Sequence, residues 1–74
     1  MPFIHVRAYK GRDTEAKQKM AQAMVKAASE SLGAPETAFT VVFEDIDRET
    51  WEKDSVPIME LLKDKIVFKD GKLV

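Results

Sequence analysis

Between Phe3 and Tyr9 apolar and polar positions alternate: Ile4, Val6 and Ala8 take one side, and Phe3, His5, Arg7 and Tyr9 the other. That pattern predicts a strand with one face on a core. Lys10-Gly11-Arg12 interrupts it as a turn in which Gly11 is free to adopt positive φ. A helix over Thr14–Leu32 follows, capped by Asp13 or Thr14, with Glu15 in the first turn where negative charge is favoured. Its expected inward stripe is Ala16, Met20, Ala23, Met24, Ala27, Ser31 and Leu32, with Lys17, Gln18, Gln22, Lys26 and Glu30 opposite. Gly33 suits the position just past the helix, and Pro35 prevents continuation. Residues 38–46 predict a second strand, with Phe39, Val41 and Phe43 on one face and Thr40, Val42, Glu44 and Ile46 on the other. Both faces are apolar enough to call for cover on both sides.

Strand, long helix and strand make a βαβ unit, so the strands are expected to be parallel with a right-handed crossover. Beyond Trp51, Asp54 or Ser55 is placed to cap a short second helix with Pro57 in its first turn and Val56, Met59, Leu61 and Leu62 as its apolar side. Asp70-Gly71 between the apolar ends of the tail signals a tight hairpin. The fold class is α+β. A parallel pair with one helix leaves sheet edges and one face bare, so a second copy is expected to extend the sheet or cover that face.

Composition sharpens this. The 74 residues make one domain, 1–74, without internal repeat or linker. A chain this short buries only about 60% of its extended surface. It has no cysteine, which leaves association as the remaining means of stabilisation. One His and no Cys exclude a structural zinc site, and no pattern calls for a cofactor. Twelve basic and 13 acidic residues give a net charge of −1, which offers nucleic acid no electrostatic footing. No apolar run approaches a membrane span and no signal-peptide pattern opens the chain, so a cytoplasmic protein is expected.

The chemistry worth singling out is at Met1-Pro2. Methionine before a small residue is normally trimmed, and trimming would leave Pro2 with a free secondary amine. Retention of Met1 would leave that nitrogen a tertiary amide, unable to act as a base. His5, a lone histidine on a strand, reads as structural. Glu44 and Asp45 are neighbours in a strand and face opposite sides, so they form no acid–base pair.

Met1-Pro2-Phe3-Ile4-His5-Val6, Gly11-Arg12 ahead of a charged helix start, Leu32-Gly33-Ala34-Pro35, Val41-Val42, Glu44 and Trp51 follow one another without gaps. In this the chain resembles the 4-oxalocrotonate tautomerase family, over about two thirds of its length. The resemblance implies a tautomerase-like β-α-β fold completed by oligomerisation. It also implies a catalytic amino-terminal base at Pro2, a carboxylate-binding Arg12, often supplied by a neighbouring subunit, and an aromatic wall at Trp51. The family's further arginine is absent, its position being Thr40, which argues against dicarboxylate substrates. Trp51, Pro57, Met59-Glu60 and Leu62-Lys63 resemble the longer, dimeric members, so a homodimer is favoured over a hexamer. The implied reaction is keto–enol tautomerisation of a small carboxylate of enolpyruvate or 2-hydroxydienoate type, with phenylenolpyruvate as a test compound. Two alternatives stand beside it. One is hydration or dehalogenation on the same scaffold, with Glu52 or Asp54 activating water. The other is a dimeric module without catalysis.

Overall fold

A computed structural model describes all 74 residues. Strand β1 (Phe3–Tyr9) pairs in parallel with β2 (Thr40–Ile46), in a register that sets Phe3 beside Thr40, Val6 beside Phe43 and Tyr9 beside Ile46. Helix α1 (Thr14–Leu32) connects them. Asp13 caps it, accepting from the Ala16 N–H at 2.8 Å, and Gly33 ends it at φ 71°, a left-handed conformation that glycine adopts without steric penalty.

The strand faces are as the alternation requires. Glu44 turns to His5 and Arg7, whereas Asp45 turns to the helix, where its carboxylate meets Lys17 Nζ at 2.6 Å. That contact corrects the expected helix stripe. The half-buried positions of α1 are Lys17, Ala21, Met24, Val25, Ala28 and Ser29, while Ala16, Met20, Ala23, Ala27, Ser31 and Leu32 stay exposed. An Ala-rich helix offers two adjacent weakly apolar stripes, and helical period alone does not choose between them. Lys17 decides it: its stem lies along the sheet and its ammonium sits 5.7 Å from the centre of the Phe43 ring before reaching Asp45.

β2 begins at Thr40 rather than Ala38, because residues 36–38 form a 3₁₀ turn. Pro35, extended at φ −67° and ψ 149°, starts that turn by accepting from Ala38 N–H at 3.0 Å.

The second helical segment begins earlier than expected. Asp47, not Asp54 or Ser55, caps it by accepting from Thr50 N–H at 2.7 Å. It runs as α2 (Arg48–Thr50), a widened π turn (Trp51–Ser55) and α3 (Val56–Leu61). Pro57 explains the widening. It has no N–H, and its ring would crowd the carbonyl four residues back in a regular helix. In the π turn Val56 N–H instead reaches back five residues to the Trp51 carbonyl. A C-terminal hairpin, β3 (Phe68–Lys69) and β4 (Lys72–Leu73), turns through Asp70 and Gly71, both at positive φ.

One chain has almost no core. Only Ile46, 6% exposed, and Ser55, 2% exposed, are buried. The radius of gyration is 13.6 Å, against about 11 Å for a compact chain of this length. The excess lies in the C-terminal arm, where Leu61, Val67, Phe68, Leu73 and Val74 are largely bare. No helix is long and apolar enough to cross a membrane.

Candidate active site

The side chains singled out in the sequence fall at two opposite ends of the strand pair. Pro2 enters β1, half-buried, and its carbonyl accepts from Thr40 N–H at 3.1 Å. Thr40 is thus the first neighbour of Pro2 on β2, with Phe3 directly opposite it. The Phe3 and His5 rings stack with centres 5.9 Å apart on the face away from α1.

Arg12 and Trp51 lie beyond the far end of β1. Arg12 Nη1 donates to the Tyr9 carbonyl at 2.7 Å, which holds the guanidinium against the strand terminus. Trp51, the first residue of the π turn, tilts against Tyr9 with ring centres 5.1 Å apart. Tyr9 is seven residues along the strand from Pro2, or about 23 Å at the usual rise per residue. A single chain therefore brings Arg12 and Trp51 together and does not bring Pro2 to them.

Between the two ends runs a polar network with no counterpart in the sequence reading. Arg7 Nε donates to Ser55 Oγ at 3.0 Å, and Arg7 Nη1 reaches both Glu44 carboxylate oxygens at 3.3 Å. Glu44 also pairs with His5 Nε2. This links β1 and β2 to the π turn and seats Trp51 over the end of the sheet. The strand register sets Arg7 beside Glu44 on one face, and no local signal in the sequence points to Ser55.

The same end of the molecule holds Arg48, whose guanidinium carbon lies 5.4 Å from the centre of the Tyr9 ring. Asp47 beside it has its carboxyl held below the usual range. The Thr50 backbone N–H is the main cause, followed by the Thr50 hydroxyl and the fields of Lys10 and Lys53. Glu52 and Asp54 are solvent-exposed on the π turn. No cluster of three His, Asp or Glu side chains converges as a metal site. The largest cleft, about 610 Å³, lies between α3 and the C-terminal arm. Its walls include Val56, Met59, Val67 and Phe68 and none of these site residues, so it belongs to the bare arm rather than to the chemistry.

Comparison with known proteins bears on the family. Residues 2–53 match the model of the family described as Tautomerase enzyme. A curated protein of Lactococcus lactis subsp. lactis (strain IL1403), named "Probable tautomerase LL0574", is 37% identical over 46 residues, which span 62% of this chain and 75% of that protein. No solved structure matches. With Pro2 at the first matched position and Trp51 inside the match, the chain belongs to the tautomerase family.

Proposed function

We propose that the protein is a keto–enol tautomerase acting on small carboxylates of the enolpyruvate or 2-hydroxydienoate type. In this reading Pro2 is the general base once Met1 has been removed. The observation that carries it is the position of Pro2: half-buried at the mouth of β1, with its carbonyl fixed to Thr40 so that the ring nitrogen has a defined place. The enol hydroxyl gives its proton to that nitrogen, the carbonyl forms as the carbon–carbon double bond shifts, and the nitrogen returns the proton to carbon. A secondary amine whose pKa lies two units above neutrality is only about 1% free base at pH 7. Lowering that pKa by about two units frees half of it, at a cost near 2.7 kcal/mol. Apolar cover and a nearby cation both act in that direction, and a base poised in this way contributes about 10²- to 10⁴-fold in rate.

The cover and the cation come from a second copy. Arg12 and Trp51 stand about 23 Å from Pro2 of their own chain, and one chain buries only Ile46 and Ser55. An antiparallel neighbour would set its Tyr9 end, with Arg12 and Trp51, beside Pro2, while its surface covers the bare sheet face or arm. Arg12 then binds the substrate carboxylate through its planar fork, and Trp51 walls the pocket.

The test combines intact mass with pH–rate profiles, on phenylenolpyruvate and a 2-hydroxydienoate, for the parent and Pro2→Ala. A Met1-free parent is expected to show activity that rises with pH through a basic-group pKa well below that of free proline, a limb absent from the variant. Turnover unchanged by Pro2→Ala, or native protein retaining Met1, would remove Pro2 as the base.

A further inference from the structure

The chain has a single tyrosine, Tyr9, and it stands at the centre of the end that carries Arg12 and Trp51. Three contacts hold it. Its carbonyl accepts from Arg12 Nη1 at 2.7 Å. Its ring meets the Trp51 ring with centres 5.1 Å apart, and the Arg48 guanidinium carbon lies 5.4 Å from the ring centre. A phenol packed by two neighbours has little freedom to turn, so the oxygen at its tip has a set place. That oxygen is free. It takes part in none of the side-chain hydrogen bonds of the molecule.

The proposed reaction creates a need for such a donor. When the enol hydroxyl gives its proton to Pro2, its oxygen carries the negative charge until carbon is reprotonated. A donor fixed in advance stabilises that charge. The Pro2 end of the chain is poor in donors. His5 Nε2 is already paired with Glu44, Phe3 has none, and the Thr40 side chain is exposed. The Tyr9 end of the neighbouring copy, which brings Arg12 and Trp51 to Pro2 in the proposed assembly, brings the Tyr9 hydroxyl with them. With the carboxylate on Arg12, the next polar atom of an enolpyruvate is the enol oxygen. A neutral hydroxyl suits it, because the bond strengthens as that oxygen becomes charged and adds little to binding of the neutral enol.

We infer that Tyr9 is a further catalytic residue, whose hydroxyl donates a hydrogen bond to the enol oxygen of a substrate held by Arg12 of the same copy. The phenol keeps its proton throughout; only Pro2 takes one up and returns it. For its part in turnover this rests on the tautomerase reading.

Tyr9→Phe tests it, because the variant keeps the ring and removes only the hydroxyl. Trp51 is the only tryptophan, so an unchanged emission spectrum shows that the ring contact survives. With phenylenolpyruvate, kcat is expected to fall about 10- to 100-fold and KM to stay within about threefold, the pattern of an interaction made chiefly in the transition state. Binding is measured separately by calorimetry with phenylpyruvate and 3-phenylpropanoate, which differ by the keto oxygen beside the carboxylate. The parent is expected to bind phenylpyruvate about fivefold more tightly, and Tyr9→Phe to bind the two acids equally. Thr40→Val should keep the preference. Equal affinities in the parent, no binding of phenylpyruvate, a preference that survives Tyr9→Phe, or one that is lost with Thr40→Val instead would each overturn the inference. An active parent whose kcat is unchanged in Tyr9→Phe would also overturn it and leave the tautomerase reading standing. A parent with the Tyr9-dependent preference that converts no enol acid would do the reverse, leaving Tyr9 as a binding contact.

Discussion

Arg7 joins three elements: it lies on β1, pairs with Glu44 on β2, and donates to Ser55 in the π turn. Its side chain is 19% exposed and Ser55 is 2% exposed, so the bond between them is shielded from water. Replacing Arg7 with methionine keeps most of the apolar stem and leaves the Ser55 hydroxyl buried without a partner, at a cost of about 1–3 kcal/mol. The half-exposed Glu44 contact adds only about 0.2–1 kcal/mol after solvent screening. The expected loss is therefore about 2 kcal/mol, a large part of the roughly 4–11 kcal/mol a chain of this length commands. In heating experiments that loss corresponds to a fall in Tm of about 8–16 °C. Ser55→Ala alone should cost about 1 kcal/mol, because Arg7 keeps Glu44. The double variant has no orphaned hydroxyl, so it should be less unstable than the sum of the two by about 1 kcal/mol or more. Urea unfolding followed by Trp51 emission measures all four proteins, at one protein concentration because association contributes to stability. Losses that add to within about 0.3 kcal/mol would show that the two side chains do not act as a pair, and the account of how the π turn is seated would fall.

Two further outcomes are expected. The Asp47 carboxyl titrates below its ordinary value of 3.8 in the folded chain, so its contribution to stability is complete above that value and is lost as pH falls through the lower folded pKa. Unfolding of the parent and of Asp47→Ala followed between neutral pH and pH 2 should show the gap between them closing only at the acid end; a gap that widens on acidification would reverse the sign of the argument. For the shared site, Pro2→Ala and Arg12→Ala proteins should each be inactive. Mixed equimolar and allowed to exchange subunits, a dimer should regain about a quarter of the parent's sites, since half of the random dimers are mixed and each carries one intact site. No recovery after demonstrated exchange would place Pro2 and Arg12 of a functional site on the same chain.

What the sequence determined by itself is local. The bounds of β1 and α1, a cap at Asp13 or Thr14, the end at Gly33 and the turn at Asp70-Gly71 depend on residues within a few positions of one another. Alternation, capping and backbone freedom are short-range effects, so they are legible along the chain. The likeness to tautomerases was legible for a related reason: its marks, from Met1-Pro2 to Trp51, keep their order and spacing.

Tertiary structure decided the rest. Which stripe of α1 faces the sheet depends on where Asp45 and Phe43 stand when Lys17 reaches them, 28 and 26 residues further along the chain. The early start of the second helical segment depends on Asp47 and on how a π turn accommodates Pro57 while burying Ser55 under Arg7. The meeting of Arg12, Arg48 and Trp51 around Tyr9, and their separation from Pro2, exist only once the strands are paired. Contacts between distant residues follow from how elements pack, and packing energies are shared among many neighbours rather than carried by any one stretch of chain.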